Sequence, residues 1–200
     1  MRHSIVATFL TLSMPALLCA QEPKEGSKPM LGVSLEVVAK KNVYIFEGGG
    51  KSPAEYKQHL EAIAARLKKG DLVDPPKPLN VDLVLRLTNT TQEPITIHVG
   101  GDPNIYTFTL SGGAGVVTMN NPVAFTTDFR LPKPVTLAPG KSYEIPVPVL
   151  ADGHRGSSRL LFWTGPGEYT LSAEYTLADA EGQKTAVIKS APVKITVQAK

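Results

Sequence analysis

Apolar and polar residues alternate from residue 31 onward. Leu31, Val33, Leu35 and Val37 share one parity, and Ser34 and Glu36 lie on the other. Successive strand side chains point to opposite faces, so this pattern predicts a half-buried β-strand. Val43-Tyr44-Ile45-Phe46 makes a second piece, which continues the first or pairs with it and stops at Glu47-Gly48-Gly49-Gly50. The alternation resumes at Val81, Leu83, Leu85 and Leu87. After the polar turn Asn89-Thr90-Thr91-Gln92-Glu93 it returns with Ile95, Ile97 and Val99, leaving His98 on the opposite face. Tyr106, Phe108 and Leu110 predict the next strand, with shorter pieces near Val116-Val117 and at 125–131. Val135 and Leu137 lead into the turn Ala138-Pro139-Gly140-Lys141. Beyond it Tyr143, Ile145, Val147 and Val149 alternate with Pro146 and Pro148. Proline cannot donate to a ladder, so this strand is expected at a sheet edge. Segments 158–164, 167–177 and 192–198 complete the set.

One stretch has a different period. Ser52-Pro53-Ala54-Glu55 offers a hydroxyl cap, a proline at the first helical position and a glutamate three residues after the cap. These are the parts of a capping box, in which two side chains satisfy backbone donors that the helix leaves open. Tyr56, Leu60, Ile63 and Leu67 then fall on one stripe. His59 flanks it, Lys68-Lys69 suit the negative end of the helix dipole, and Gly70 stops it. The spacing predicts a helix over 53–69. Asp74-Pro75-Pro76-Lys77-Pro78 follows as a stiff, extended spacer. Short strands with turn signals every ~8–12 residues, and no helical repeat among them, indicate an antiparallel sandwich or barrel.

The N-terminus changes the accounting. Arg2 and His3 precede the apolar run 4–18, and Cys19-Ala20 lead into the polar 21–30. This is the plan of a secretory signal, cleaved after Ala20, with a flexible leader over 21–30. A second reading, a lipid anchor on Cys19, stays open, although Leu18 is not the small residue such a signal wants. The run is too short and too interrupted for a spanning helix. Processing would remove the chain's one cysteine, so neither a disulfide nor a thiolate site is expected. It would also remove Arg2, leaving 20 basic against 18 acidic residues. That balance argues against nucleic acid as a partner, because phosphate binding needs a dense basic face. The expected organisation is 1–20 signal, 21–30 leader, 31–78 strand segment, helix and spacer, and 79–200 sandwich, with 31–200 as one structural unit.

Three stretches carry a resemblance: LRLTNTTQEPITIHV, TLAPGKSYEIPV and TGPGEYTLSAEYTL. In order and turn chemistry they resemble uncharacterised exported bacterial proteins with an Ig-like β-sandwich. More distantly they are similar to the bacterial intracellular proteinase-inhibitor family. The resemblance covers roughly residues 79–177. It implies an antiparallel Ig-like β-sandwich, and its turn motifs bear on fold far more than on function. In such sandwiches a tyrosine near the start of the sixth strand turns its hydroxyl back onto the preceding loop. Gly167 and Tyr169 match that pattern, with Leu171 where antibody-type domains carry cysteine. Tyr169 either makes this corner or merely begins a strand. Trp163 is expected to fill the core beside it. No reactive loop can be carried over from the inhibitors.

Candidate chemistry is sparse. No G-x-S-x-G elbow and no H-E-x-x-H spacing is present. His59, His98 and His154 would survive processing, and of these His154 shares a polar loop, 151–156, with Asp152. That pair is the candidate for a hydrolytic or metal role. Asp102, in the Gly100-Gly101-Asp102-Pro103 turn, could offer an oxygen to calcium or could bond its own backbone to start the turn. Gly112-Gly113-Ala114-Gly115 opens no helix, so it does not read as a phosphate cradle, and no cofactor is predicted. Asn89-Thr90-Thr91 matches a glycosylation acceptor and is read as incidental. Tyr44, Phe46, Tyr106, Phe108, Phe125, Phe129 and Trp163 fall where a core is wanted, which argues against a carbohydrate site. Phe162 is the candidate for an exposed ring, or else marks a strand buried on both faces. The expectation is an exported, non-catalytic binding or structural module with a protein partner. The alternatives are a proteinase-inhibitor-like binder and a hydrolase or metal site at Asp152 and His154.

Overall fold

The computed structural model describes residues 32–121, 128–154 and 157–200. The signal, Cys19, the leader, Leu31 and Phe125 lie outside them, as do Arg155 and Gly156 of the 151–156 loop. The chain forms β1 (Val33–Ala39), β2 (Val43–Ile45), α1 (Pro53–Lys68), β3 (Asn80–Asn89), β4 (Ile95–Val99), β5 (Tyr106–Gly112) and β6 (Val116–Asn121). There follow β7 (Lys133–Leu137), β8 (Ser142–Val149), β9 (Ala151–His154), β10 (Ser157–Trp163), β11 (Gly167–Ala178), β12 (Lys184–Lys189) and β13 (Val193–Gln198).

Two sheets pack face to face. The smaller runs β1-β3-β8 and the larger runs β2-β13-β11-β5-β9-β10-β6, with β4, β7 and β12 attached around β11. β1, β3 and β8 stand where the A, B and E strands of an Ig-like sandwich stand, and β5, β11 and β13 stand where C, F and G do. The fold is therefore an antiparallel Ig-like β-sandwich with one helix. It draws its first strand from before residue 79, because β1 pairs along its whole length with β3. β8 is an edge strand, and Pro146 and Pro148 point to solvent. Val43–Ile45 does not pair with β1. The chain steps from the small sheet to the large one at Lys40-Lys41-Asn42, and β2 runs parallel to β13.

The main core lies between the sheets. Leu85 and Leu87 from β3 meet Leu171 and Ile195 from β11 and β13, all fully buried. The helix builds a second, smaller core on the outer face of the large sheet. The Ser52 hydroxyl accepts from the Glu55 N–H, and the Glu55 carboxylate accepts from the Ser52 N–H at 2.8 Å, which closes the capping box. Leu60 then sits among Val117, Met119, Leu160 and Phe162, with Tyr56, Ile63 and Leu67 packed around them. β10 is thus buried on both faces, with Leu161 and Trp163 in the main core and Leu160 and Phe162 under the helix.

Three expectations need correction. The 151–156 stretch is not a loop over its first four residues but strand β9, paired with β10. Phe162 is not an exposed ring, because α1 covers it. Phe129 is not a core residue and stands 64% exposed.

Two outcomes follow. Leu60→Ala should cost about 3 kcal/mol through lost burial and a residual cavity, and Ser52→Ala about 1 kcal/mol through the lost cap, both read by denaturant unfolding. Burial also pushes the phenols of Tyr44, Tyr56, Tyr106, Tyr169 and Tyr175 above their ordinary value of 10.0. The folded chain then holds protons that the unfolded chain releases, so stability falls with rising pH in that window. Thermal midpoints should be insensitive to these groups below about pH 9.5 and drop above it as phenolate absorbance grows. A flat profile through strongly alkaline pH would contradict this.

Candidate functional site

Asp152 and His154 were the foremost chemical candidates. The Asp152 side chain is fully buried, and both of its oxygens are committed. Oδ1 accepts from Arg159 Nε at 2.8 Å, and Oδ2 accepts from Arg159 Nη2 at 2.6 Å and from the Phe108 N–H at 2.5 Å. Arg159 Nη2 also reaches the Phe108 carbonyl at 3.4 Å. The pair therefore presents a donor and an acceptor to one residue of β5, as a neighbouring strand would. It stands where the β5–β9 ladder holds only the bridge Tyr106–Gly153. Hydrogen bonding to Asp152, with its charge behind it, holds the Arg159 guanidinium above its usual range, and that charge adds to the burial that raises the Tyr106 phenol. His154 lies at the exposed end of β9, opposite Ser157. Asp152 is thus a joint between strands rather than a partner held ready for His154.

Asp102 has a comparable role at the surface. Its Oδ1 accepts from Arg130 Nε at 3.0 Å and from Nη2 at 3.0 Å, and its Oδ2 accepts from the Arg130 N–H at 3.1 Å. Its own N–H donates to the Arg130 carbonyl at 2.9 Å. The turn itself is closed by Asn104, whose Oδ1 accepts from the Gly101 N–H at 3.0 Å. Among the described residues, both Asp102 oxygens thus accept from Arg130. Among the described residues no group of three or more His, Cys, Asp or Glu converges as metal ligands. His59 is exposed on α1, and His98 is half-buried on β4.

Gly167, Tyr169 and Trp163 come together. The Tyr169 hydroxyl donates to the Gly165 carbonyl at 2.7 Å, and the ring lies 6.3 Å from Trp163, which in turn lies 5.2 Å from Tyr44. The glycines explain the spacing. A Cβ on Gly113 would overlap the Tyr169 ring, and one on Gly167 (φ +145°) would stand 2.7 Å from Gly113 Cα. The glycine-rich stretch 112–115 thus closes over a tyrosine. Asn89 completes this class of contact. It is fully buried. Its Nδ2 donates to the Glu93 and Leu137 carbonyls at 2.8 and 2.9 Å, and its Oδ1 accepts from the Thr91 N–H at 2.8 Å. The amide that a glycan would need is inside the fold.

Two open surfaces among the described residues carry apolar and aromatic side chains. A cleft of about 520 Å³ runs beside β2, lined in part by Tyr44, Phe46, Tyr56, Trp163 and the spacer from Pro76 to Asn80. At one end of the sandwich, Phe129 and Leu131 stand 64% and 54% exposed on either side of the stapled Arg130. Pro103, Leu131 and Phe129 converge there. Each has an atom within 3.7 Å of where a Cβ on Gly182, in the β11–β12 turn, would stand. The sequence reading missed Arg130, Arg159 and the role of Asn89. An arginine within an otherwise apolar strand, seven residues after an aspartate, was the available signal for Arg159.

No family model matches the chain, and no curated protein matches it. Among the described residues no helix is long and apolar enough to cross a membrane.

Asp152→Ala should destabilise the fold by about 2–3 kcal/mol in denaturant unfolding. That is less than for a fully buried pair, because the Arg159 side chain is 38% exposed and can turn to water. A loss below about 0.5 kcal/mol would show that the pair is not the joint described.

Proposed function

We propose that the chain is an exported, non-catalytic Ig-like β-sandwich module that recognises a protein partner with the loop end carrying Phe129 and Leu131. The observation that carries this reading is the Asp102–Arg130 staple. It ties the Arg130 segment, backbone and side chain, to the Gly100–Asn104 turn, so the two flanking apolar side chains, which meet beside Gly182, are held at the surface and more than half exposed. Exposed apolar groups that are fixed in place lose little entropy on binding, and aromatic side chains anchor interfaces disproportionately. Loops at the end of a rigid sandwich are also where such folds place recognition. Asp152, Asp102 and Asn89 are engaged in holding strands and turns together, which favours a scaffold over a reaction centre. The signal-like N-terminus supports export.

A second reading is a proteinase-inhibitor-like binder. It is favoured by the same stapled segment, because an inhibitory loop must be exposed and braced from behind, and by the distant resemblance to inhibitors.

Affinity capture from the envelope fraction of the source cell, with wild type beside Phe129→Ser/Leu131→Ser, tests both readings. A protein retained by the wild type and lost by a variant of unchanged thermal midpoint is expected. Asp102→Ala should weaken that retention about tenfold by freeing the loop. If the retained protein is a protease and its activity falls on binding, the second reading holds. Equal retention by wild type and double variant would remove the loop end from the function.

A further inference from the structure

β4 is paired unevenly. Toward β7 it is matched along its whole length, from Ile95–Leu137 to Val99–Lys133. Toward β11, among the described residues, it is matched only where His98 meets Ala178. Pro134, which has no N–H, stands opposite His98 in the β7 pairing, and the His98 carbonyl accepts from Asn104 Nδ2 at 3.0 Å. His98 therefore turns its backbone groups away from β7. Backbone direction alternates along a strand, so the N–H and C=O of Thr96 point the same way. There they meet no strand. β11 ends at Ala178, and the Asp179–Gln183 turn that follows brings Gly182 beside Pro103, Phe129 and Leu131. Thr96 is exposed accordingly. An apolar slot of about 360 Å³ lies beside this gap. Its floor is Val33, Ile97, Leu177 and Ala178, all buried, with Ile95 half-buried and Thr185 exposed at the mouth.

We propose that a short extended segment of the partner protein fills this gap, exchanging hydrogen bonds with the Thr96 backbone and setting an aliphatic side chain into the slot. The inference rests on the reading of this end of the sandwich as the partner-binding end, and it names the chemistry the partner must present. Thr96 offers a main-chain donor and acceptor together, which is what an added strand engages. Cross-strand neighbours share a face, so the residue opposite Thr96 points outward with it. The residue next along then points inward, beside Ile95 and Ile97 and toward Leu177. The floor there is wholly apolar, so it accepts an aliphatic group and rejects a charged one, which would lose its water without gaining a partner. An acyl chain would fill the slot but leave the Thr96 backbone unmatched. The site is also continuous with the apolar loop end, because the Asp179–Gln183 turn has the slot on one side and Phe129 and Leu131 on the other.

Amide NMR of the processed chain, titrated with the capped peptide acetyl-Ser-Thr-Val-Thr-Ser-amide, tests it. Saturable shifts are expected at Val33, at Ile95 to His98 and at Leu177 to Asp179, with a Kd of about 1–10 mM for so short a probe. The same peptide with aspartate in place of its valine should bind at least about tenfold more weakly. Thr96→Pro removes the N–H that faces the gap and none that faces β7, and it should weaken the valine peptide about tenfold. Ala178→Ile should do the same by filling the slot. Both variants should keep the wild-type circular dichroism. No shifts at these residues up to about 20 mM peptide would overturn the proposal. So would equal binding of the valine and aspartate peptides, which needs no variant to fold. Binding seen only in a chain shortened to start at Gly32 would make the leader the occupant and overturn it as well. Failure here leaves capture through Phe129 and Leu131 intact, since neither residue lines the slot, and failure of that capture leaves the peptide titration readable.

Discussion

A backbone N–H or C=O that leaves its ladder inside a core must find another partner or cost about 1–3 kcal/mol. A sandwich assembled from many short strands meets this demand wherever a strand ends. This protein meets it with buried polar side chains. Asn89 joins the β3–β4 turn to the end of β7. Tyr169 ties the start of β11 to the loop before it. Asp152 and Arg159 together supply Phe108 with the donor and acceptor that a neighbouring strand would have supplied. Among the described residues no fully buried side-chain nitrogen or oxygen lacks a partner. The groups that look most reactive in the sequence are thus the ones the fold consumes.

Local regularity was legible in the sequence. The parity of Val81 to Leu87 gave the buried face of β3, the two prolines placed β8 at an edge, and Ser52 to Glu55 set the start of α1. Each of these signals is carried by residues within a few positions of one another. What was not legible depends on distant partners. Asp152 reads as a polar loop residue until Arg159 and the Phe108 backbone are brought beside it. Asp102 reads as a turn former, because Arg130 is 28 positions away. Phe129 and Phe162 are the same residue type in similar company, and only the position of α1 decides which of them is covered. β12 was overlooked although Ala186 and Ile188 alternate correctly. Six residues between polar turns offer little pattern to read.

The glycines divide along the same line. Gly113 and Gly167 are required because a tyrosine ring and another glycine occupy the space beside them, which is a tertiary reason. Gly70 has nothing near its missing side chain, and its positive φ of 84° serves the end of the helix, which is a local one. The stretch 112–115 shows how a glycine-rich motif can serve packing alone.

β2, the second strand of the folded body, and β13, the last, lie side by side and parallel. Tension that reaches β2 from its N-terminal side and β13 from its C-terminal side acts along both strands in opposite directions. It loads the Thr196–Asn42 and Phe46–Gln198 hydrogen bonds together, in shear, instead of peeling them one after another. Loaded in that way, the β2–β13 pair would therefore resist as a clamp rather than as a zip.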